Sequence, residues 1–306
     1  MDGLLVIDKP PGPTSHDVVA SMRRVLGERR IGHTGTLDPA ASGVLPLVLG
    51  RATRLARFLS AGDKRYEAVV RFGVATDTYD GEGTPVGAAR TGAMPTRDAI
   101  EAALDTFRGT FLQQPPPYSA KKIAGRRSYD MARAGYQFDE APVLPAPVTV
   151  TVHRLEITRI EDDDVTIDVE CSAGFYVRAL AHDLGRLAGV GAHLSALRRT
   201  LSAGLTLDES VPLEFAERSR EDTQAAVVSI DRMLPSLKAV TLTDEGVLRA
   251  VHGRDIGRSE VAEGSLPELA ADPATMVRLI DELGRLVAIA QPTGVPGVLH
   301  PAVVLR

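Results

Sequence analysis

The chain has 306 residues, of which 44 % are hydrophobic and 25 % charged, a composition ordinary for a soluble globular protein. It has no apolar run long enough to cross a bilayer, its first residues lack the pattern of a signal peptide, and its single cysteine excludes an intrachain disulfide. We therefore expect a cytoplasmic protein with no membrane partner. The formal net charge of −5 argues against a surface coated in phosphate contacts.

Hydrophobic periodicity and capping residues predict the elements in chain order. The strands are expected at 4–8, 44–49, 64–74, 149–160 and 165–171. The helices are expected at 14–27, after residue 50, after the cap Thr96, and at 175–187. Because strands and helices do not alternate regularly, we expect an α+β fold with a mixed, mainly antiparallel sheet flanked by helices.

A domain boundary is expected near the segment Leu234-Pro235-Ser236. It would divide the chain into a large domain at 1–236 and a small β-rich domain at 237–306. The strands of the small domain are expected at 240–242, 277–280, 286–290 and 303–305. This second region contains no group of residues that suggests catalysis.

The segment 33–39 places Asp38 between Leu37 and Pro39. Pro39 restricts Asp38 to extended or turn geometry, and Gly35 permits backbone angles that other residues resist. A carboxylate on a stiff loop before a core strand suits chemistry. Taken alone, a turn-capping carboxylate is the commoner role for such a residue.

Tyr66 and Arg178 are the other chemical candidates. Tyr66 lies on the apolar face of its predicted strand, where a core tyrosine bonded to the backbone is an equal alternative. Arg178 lies at the start of a helix, where a cation opposes the helix dipole, so a buried carboxylate partner is expected. The acids Asp77 and Asp80 fail the EF-hand spacing and favour a turn network, and no Cys/His pair has zinc spacing, so we expect no metal.

Basic residues are segregated into clusters despite the negative net charge. One cluster precedes Asp38, a second spans 121–133, and the third is the pair Arg198-Arg199. Charge runs are usually solvated helix faces, but three separate clusters leave phosphate binding open.

Several motifs follow one another in a recognisable order. They are Lys9-Pro10-x-Gly12-x-Thr14-Ser15, Gly32-His33-x-Gly35-x-Leu37-Asp38-Pro39-x-Ala41-x-Gly43-x-Leu45, Gly50-x-Ala52-Thr53, Lys64-x-Tyr66, Thr76-Asp77-Thr78-x-Asp80, Pro115-Pro116-x-Tyr118-Ser119-Ala120-x-Lys122 and Gly174-x-Tyr176-x-Arg178-x-Leu180. Together they closely resemble the bacterial TruB-type tRNA pseudouridine synthases over essentially the whole first domain. The C-terminal part looks like a short RNA-binding PUA module, although its acidity departs from what RNA binding would want.

The resemblance implies an isomerase that converts uridine to pseudouridine in the T-loop of tRNA, at position 55, after flipping the base. It implies catalytic roles for Asp38, Tyr66 and Arg178, in which a bidentate Arg178 fork holds Asp38 ionised. The implied substrate-binding residues are His33, Tyr176, Lys9, Lys121, Lys122, Arg126 and Arg127. The segment from Tyr118 to Arg133 looks like a flap that closes on the tRNA. The resemblance further implies no cofactor, the tRNA T-arm as partner, and a monomer without guide RNA or an obligate protein partner.

Two alternatives belong to other functional classes, and a third is a related synthase. A non-catalytic RNA-binding or tRNA-folding protein could share the fold, although the three intact site residues favour catalysis. A glycosidase or nucleoside-cleaving enzyme would need a second carboxylate as general acid, and the motifs contain none. A guide-RNA-dependent synthase would need docking surfaces for other proteins, and nothing in the sequence indicates them.

Overall fold

The computed structural model describes residues 1–87, 93–118, 145–262 and 275–306, together with the backbone of four two-residue strands between 122 and 142. Within these residues, no helix is both long and apolar enough to cross a membrane. The strands are β1 Gly3–Lys9, β2 Ile31–His33, β3 Ser42–Leu49, β4 Lys64–Phe72, β5 Ala75–Thr76, β6 Pro85–Val86, β7 Gly109–Gln113, β8 Lys122–Ile123, β9 Arg126–Arg127, β10 Gln137–Phe138, β11 Ala141–Pro142, β12 Val148–Glu161, β13 Asp164–Cys171, β14 Ala192–Ser202, β15 Leu205–Thr206, β16 Val211–Pro212, β17 Val228–Ser229, β18 Ala239–Thr241, β19 Val277–Ile280, β20 Leu286–Pro292 and β21 Leu299–Val304. The helices are α1 Ser15–Leu26, α2 Ala56–Ser60, α3 Arg97–Leu104, α4 Val177–Leu187, α5 Leu213–Arg218, α6 Arg220–Ala225 and α7 Asp244–Val251, and short 3-10 turns include Gly50–Leu55.

Among the described residues, eleven strands form one sheet, and its main path runs β16-β1-β3-β14-β4-β13-β12-β7. The pairs β1/β16 and β3/β14 are parallel, and the other neighbours on this path are antiparallel. Helix α4 packs on the half of the sheet that contains β4 and β13, and α1 packs on the half that contains β1 and β3. The predicted α+β fold with a mixed, mainly antiparallel sheet is confirmed.

Capping residues and hydrophobic periodicity predicted most of these elements correctly. Thr14 caps α1 in a capping box with Asp17, and Gly27 ends the helix in the left-handed conformation at φ 67°. Strand β4 buries alternate residues from Lys64 to Phe72, as its period of two predicts. The helix predicted after residue 50 is instead a 3-10 turn followed by the five-residue α2.

The central strand β14 was not predicted. Its pairing with β4 has irregularities after Leu194 and after Arg199, which interrupt the period of two in its side chains. It also pairs briefly with β3, where Gly43 lies opposite Arg199 at a φ of 101°. A Cβ atom on Gly43 would lie 2.2 Å from the carbonyl oxygen of Arg199, so only glycine permits this close approach. The edge strand β7 was not predicted either.

The C-terminal residues form a four-stranded sheet in the order β18-β19-β20-β21, with α7 against it. This sheet has its own apolar cluster, which includes Val240, Val277 and Val287. A second cluster joins Ile289 and Leu305 to Val6 and neighbouring residues of the large sheet. The small sheet therefore covers the face of β1 and β3 that lies opposite α1. The domain boundary expected at residue 236 stays a prediction.

Candidate active site

Two clamps position the Asp38 loop from outside the loop. The Ser15 hydroxyl, buried at the start of α1, accepts a hydrogen bond from the Leu37 N–H at 2.9 Å and donates to the Leu37 carbonyl at 3.0 Å. The Lys9 ammonium donates to the Pro39 carbonyl at 3.1 Å. Because both neighbours of Asp38 are fixed in this way, its half-exposed carboxylate has a defined direction.

Arg178 reaches Asp38 from the second position of α4. Its Nε lies 3.1 Å from Oδ2 of Asp38, and its side chain is 11 % exposed. The pairing of Arg178 with Asp38, expected from the cation at a helix N-terminus, is therefore present. The two side chains therefore form an ion pair in which the arginine is largely buried.

The predicted two-bond fork from Arg178 to Asp38 was wrong. Nη2 of Arg178 donates to the Tyr118 carbonyl at 2.9 Å, while Nη1 donates to the Thr78 carbonyl at 3.2 Å and to Oδ2 of Asp80 at 3.4 Å. Arg178 thus bridges two carboxylates instead of gripping one. Asp80 had been interpreted as part of a turn network, a role that it also has through its bond from Thr78 Oγ1 at 2.6 Å.

Tyr66 lies on β4 and is 8 % exposed, directly opposite Arg199 of β14. Burial raises the pKa of Tyr66, and the nearby Cys171 and Asp38 add to this rise. Arg199 acts in the opposite direction, through its charge and through a hydrogen bond to the hydroxyl. Arg199 is itself 1 % exposed, so its assignment to a surface basic cluster was wrong.

Gln113 fixes the backbone of Tyr176, which precedes α4. Its side-chain Oε1 accepts from the Tyr176 N–H at 2.8 Å, and its Nε2 donates to the Tyr176 carbonyl at 3.0 Å. Gln113 is buried at the end of β7. This amide supports the helix start that carries Arg178, and no motif in the sequence indicated it.

His33 ends β2, and its Nδ1 is buried without a hydrogen-bond partner among the described residues. Burial lowers the pKa of His33, and the charges of His16 and Arg199 lower it further. The ring meets His16 edge to face at 5.4 Å. At neutral pH the imidazole is therefore uncharged.

Five of the predicted site residues line one cavity of about 600 Å³. They are His33, Asp38, Tyr66, Tyr176 and Arg178. The volume lies within the range of small-molecule and cofactor sites, about 300–1,000 Å³. A carboxylate, a guanidinium and a phenol therefore converge on a space that can admit a planar ring.

Of the remaining predicted residues, only Lys9 has a described side chain, and it does not line this cavity. Lys9 is fully buried, and its ammonium donates to three backbone carbonyls, those of Pro10, Pro13 and Pro39, so its predicted contact with substrate does not fit this geometry. Its observed role is to hold the Asp38 loop. Lys121 lies outside the described residues; Lys122 on β8 and Arg126 and Arg127 on β9 are described by backbone pairing alone. Most of the expected flap is likewise outside the described ranges.

Two family models match this chain. Residues 23–177 match the family model described as TruB family pseudouridylate synthase (N terminal domain), and residues 178–240 match the one described as tRNA pseudouridylate synthase B C-terminal domain. A curated protein of Solibacter usitatus named tRNA pseudouridine synthase B is 40 % identical over 307 residues, covering 100 % of both chains. Another protein of that name, from Symbiobacterium thermophilum, is 44 % identical over 83 % of this chain and 82 % of the relative.

Solved structures show a similar fold over nearly the whole chain. An H/ACA ribonucleoprotein bound to a substrate RNA containing 2′-deoxyuridine has a chain that aligns with a TM-score of 0.72 at 26 % identity, over 99 % of this chain and 85 % of that one. A chain of an archaeal box H/ACA Nop10–Cbf5 complex aligns with a TM-score of 0.70 at 26 % identity, over 99 % and 86 % of the two chains.

Proposed function

The chain belongs to the TruB family of pseudouridylate synthases, and from this premise we propose that it isomerises uridine to pseudouridine in tRNA. The observation that carries the proposal is the cavity in which Asp38, Arg178 and Tyr66 meet. We assign the target to position 55 of the T-loop. The enzyme acts without a guide RNA or an obligate protein partner, a proposal supported by its end-to-end match to a curated bacterial tRNA pseudouridine synthase B.

The reaction breaks the N1–C1′ glycosidic bond, rotates the uracil and joins C5 to C1′. The target base is stacked within the T-loop, so it must first flip out, at a cost of a few kcal/mol. The neutral, half-buried His33 lies at the cavity, where it can occupy the space that the flipped base leaves. The 600 Å³ cavity then holds the uracil against the Tyr66 ring.

Asp38 acts at the sugar in its ionised form. It either attacks C1′ as a nucleophile, as in retaining glycosidases, or removes a sugar proton to give a glycal. Both routes need a carboxylate that stays charged as the base displaces water. At 3.1 Å the Arg178 guanidinium supplies an opposite charge to that carboxylate, and the second contact of Arg178, with Asp80, fixes the guanidinium.

Tyr66 receives the proton that uracil C5 loses. After C5 has joined C1′, the C5–H proton passes to the Tyr66 oxygen and the uracil ring regains its conjugation.

The basic segment that contains strands β8 and β9 begins at the site. It follows Tyr118, whose carbonyl accepts a hydrogen bond from Arg178. We propose that Lys121, Lys122, Arg126 and Arg127 bind the tRNA backbone, where phosphate contacts supply affinity.

Release of tritium from uracil C5 tests the function directly. A tRNA transcript labelled at C5 of its uridines should lose one label per molecule to water when the protein is added. The same transcript with cytidine at position 55 should lose none. Absence of release from the first transcript would contradict the activity, while equal release from both would contradict the position. Binding of tRNA without release would favour the non-catalytic RNA-folding alternative.

A further inference from the structure

Arg199 is a buried cation beside the reacting groups. It is 1 % exposed and lines the same cavity as Asp38 and Tyr66. Among the described residues, no carboxylate lies within ion-pair distance of its guanidinium. Burying a charge without an opposite partner is costly, so its presence calls for a compensating role.

The guanidinium is held in one orientation by the backbone. Its Nε donates to the Val44 carbonyl at 2.7 Å, and Nη2 donates to the Gly35 carbonyl at 3.0 Å. Tyr66 is directly opposite on the neighbouring strand and lines the same cavity, and Arg199 lowers the pKa of the Tyr66 hydroxyl. A planar group fixed at two points has few ways to direct its remaining N–H bonds.

We propose that Arg199 is a positioning residue for the Tyr66 hydroxyl, orienting its lone pair toward the uracil and stabilising the phenolate that takes the C5 proton. This inference rests on the proposed function and adds a second guanidinium to its machinery, with Arg178 serving Asp38 and Arg199 serving Tyr66. Preorganised donors aimed at a developing anion are a large source of catalysis.

The proton transfer balances in atoms and charge. The C5–H bond breaks and the phenolate oxygen of Tyr66 takes the proton. The electron pair forms the C5–C6 double bond, the former N1–C6 double bond becomes a lone pair on N1, and N1 takes a proton from water. The phenol returns its proton to solvent before the next turnover, so no net reagent is consumed.

The titratable groups around Tyr66 come from three neighbouring elements. Arg199 faces it from β14, Cys171 from β13 and Asp38 from the loop after β2. Of these three, only Arg199 favours the phenolate. Displacing the Arg199 guanidinium should therefore raise the pH at which Tyr66 becomes able to accept the proton.

The test is single-turnover isomerisation with the full chain, using tRNA that carries hydrogen or deuterium at C5 of uridine 55, across a range of pH. Arg199→Lys keeps the charge but loses the fixed fork. We expect it to slow the reaction about 10- to 100-fold, within the contribution of a positioned general base. The isotope effect should increase, and the alkaline rise of the rate should move to higher pH. In a Tyr66→Phe background the same substitution should change the rate little.

Arg198→Lys is the matched control. Arg198 is the adjacent arginine, 38 % exposed, and pairs with Asp8 at 2.7 Å. Its substitution should leave both the isotope effect and the pH profile unchanged. A slower Arg199→Lys enzyme with an unaltered isotope effect and profile would overturn the proposal, because loss of the Val44 and Gly35 bonds alone would then explain the rate.

A second variant keeps the test valid if Arg199→Lys does not fold. 3-Fluorotyrosine at position 66 is more acidic and leaves the Arg199 carbonyl bonds intact, so the alkaline rise should move to lower pH. A rise that stays in place would contradict the proposal. Label release by the wild-type enzyme is measured in the same series, so a failure of the Arg199 proposal remains distinguishable from a failure of the proposed function.

Discussion

Arg178→Lys separates charge from geometry at the centre of the site. Arg178 contacts Asp38 at 3.1 Å and Asp80 at 3.4 Å and donates to two carbonyls, an arrangement that needs the planar spread of a guanidinium. A lysine ammonium is a point charge and cannot keep all four acceptors. Losing one hydrogen bond to a charged partner costs about 1.5–3 kcal/mol. Since about 1.4 kcal/mol is tenfold in rate, the expected loss is about 10- to 100-fold.

The assay is single-turnover tritium release, with tRNA affinity measured in parallel. The affinity for tRNA should change by less than about threefold, because the contacts of Arg178 are with carboxylates and carbonyls of the protein itself. Arg71→Lys is the control, since Arg71 forms a comparable pair with Asp164 but is 54 % exposed at the far end of β4. A rate for Arg178→Lys within twofold of the Arg71→Lys rate would refute the claim that the guanidinium geometry matters.

Three further predictions concern Gln113, Lys9 and the basic residues of the expected flap. Gln113→Leu leaves the backbone N–H and carbonyl of Tyr176 without their buried partners, so unfolding in urea should show a loss of about 2–4 kcal/mol, and a loss below about 0.5 kcal/mol would contradict the clamp. Burial lowers the pKa of Lys9 from 10.5 to about 8. Between these two pH values the unfolded chain holds a proton on Lys9 that the folded chain has lost. The free energy of unfolding of the wild type should therefore rise with pH in this range, relative to that of Lys9→Met. Urea unfolding at pH 7.5 and 9.5 measures this difference, and a constant difference would be the contrary result. Replacing Lys121, Lys122, Arg126 and Arg127 by Ala should weaken tRNA binding and flatten its salt dependence, whereas an unaltered slope would remove these residues from the phosphate contacts.

The sequence predicted those parts of the site that local patterns determine. Asp38 was identified by a stiff loop before an apolar strand, Tyr66 by strict alternation along β4, and Arg178 by its unusual place at a helix start. Each signal lies within a few residues of the side chain that it concerns. These three residues meet in one cavity, as predicted.

The contributions that the sequence did not show come from residues distant in the chain. Asp80 shares Arg178 across 98 positions, and Gln113 holds Tyr176 across 63. Arg199 was misassigned because a doublet of arginines is typical of a solvated surface, and irregular pairing hides the strand that buries it. Lys9 was expected to contact substrate because the resemblance implied it. The sequence does not show that all hydrogen bonds of its ammonium go to backbone carbonyls inside the protein, an uncommon arrangement for lysine.

In the proposed mechanism, an ionised Asp38, held beside Arg178, performs the chemistry on the flipped nucleotide. The most direct measurement is C5 tritium release by Asp38→Asn, with tRNA binding measured on the same preparation. We expect this variant to bind tRNA nearly as tightly as the wild type and to release tritium at least about a thousandfold more slowly. Release at a rate near that of the wild type would contradict it, because a neutral amide can neither attack C1′ nor take the sugar proton.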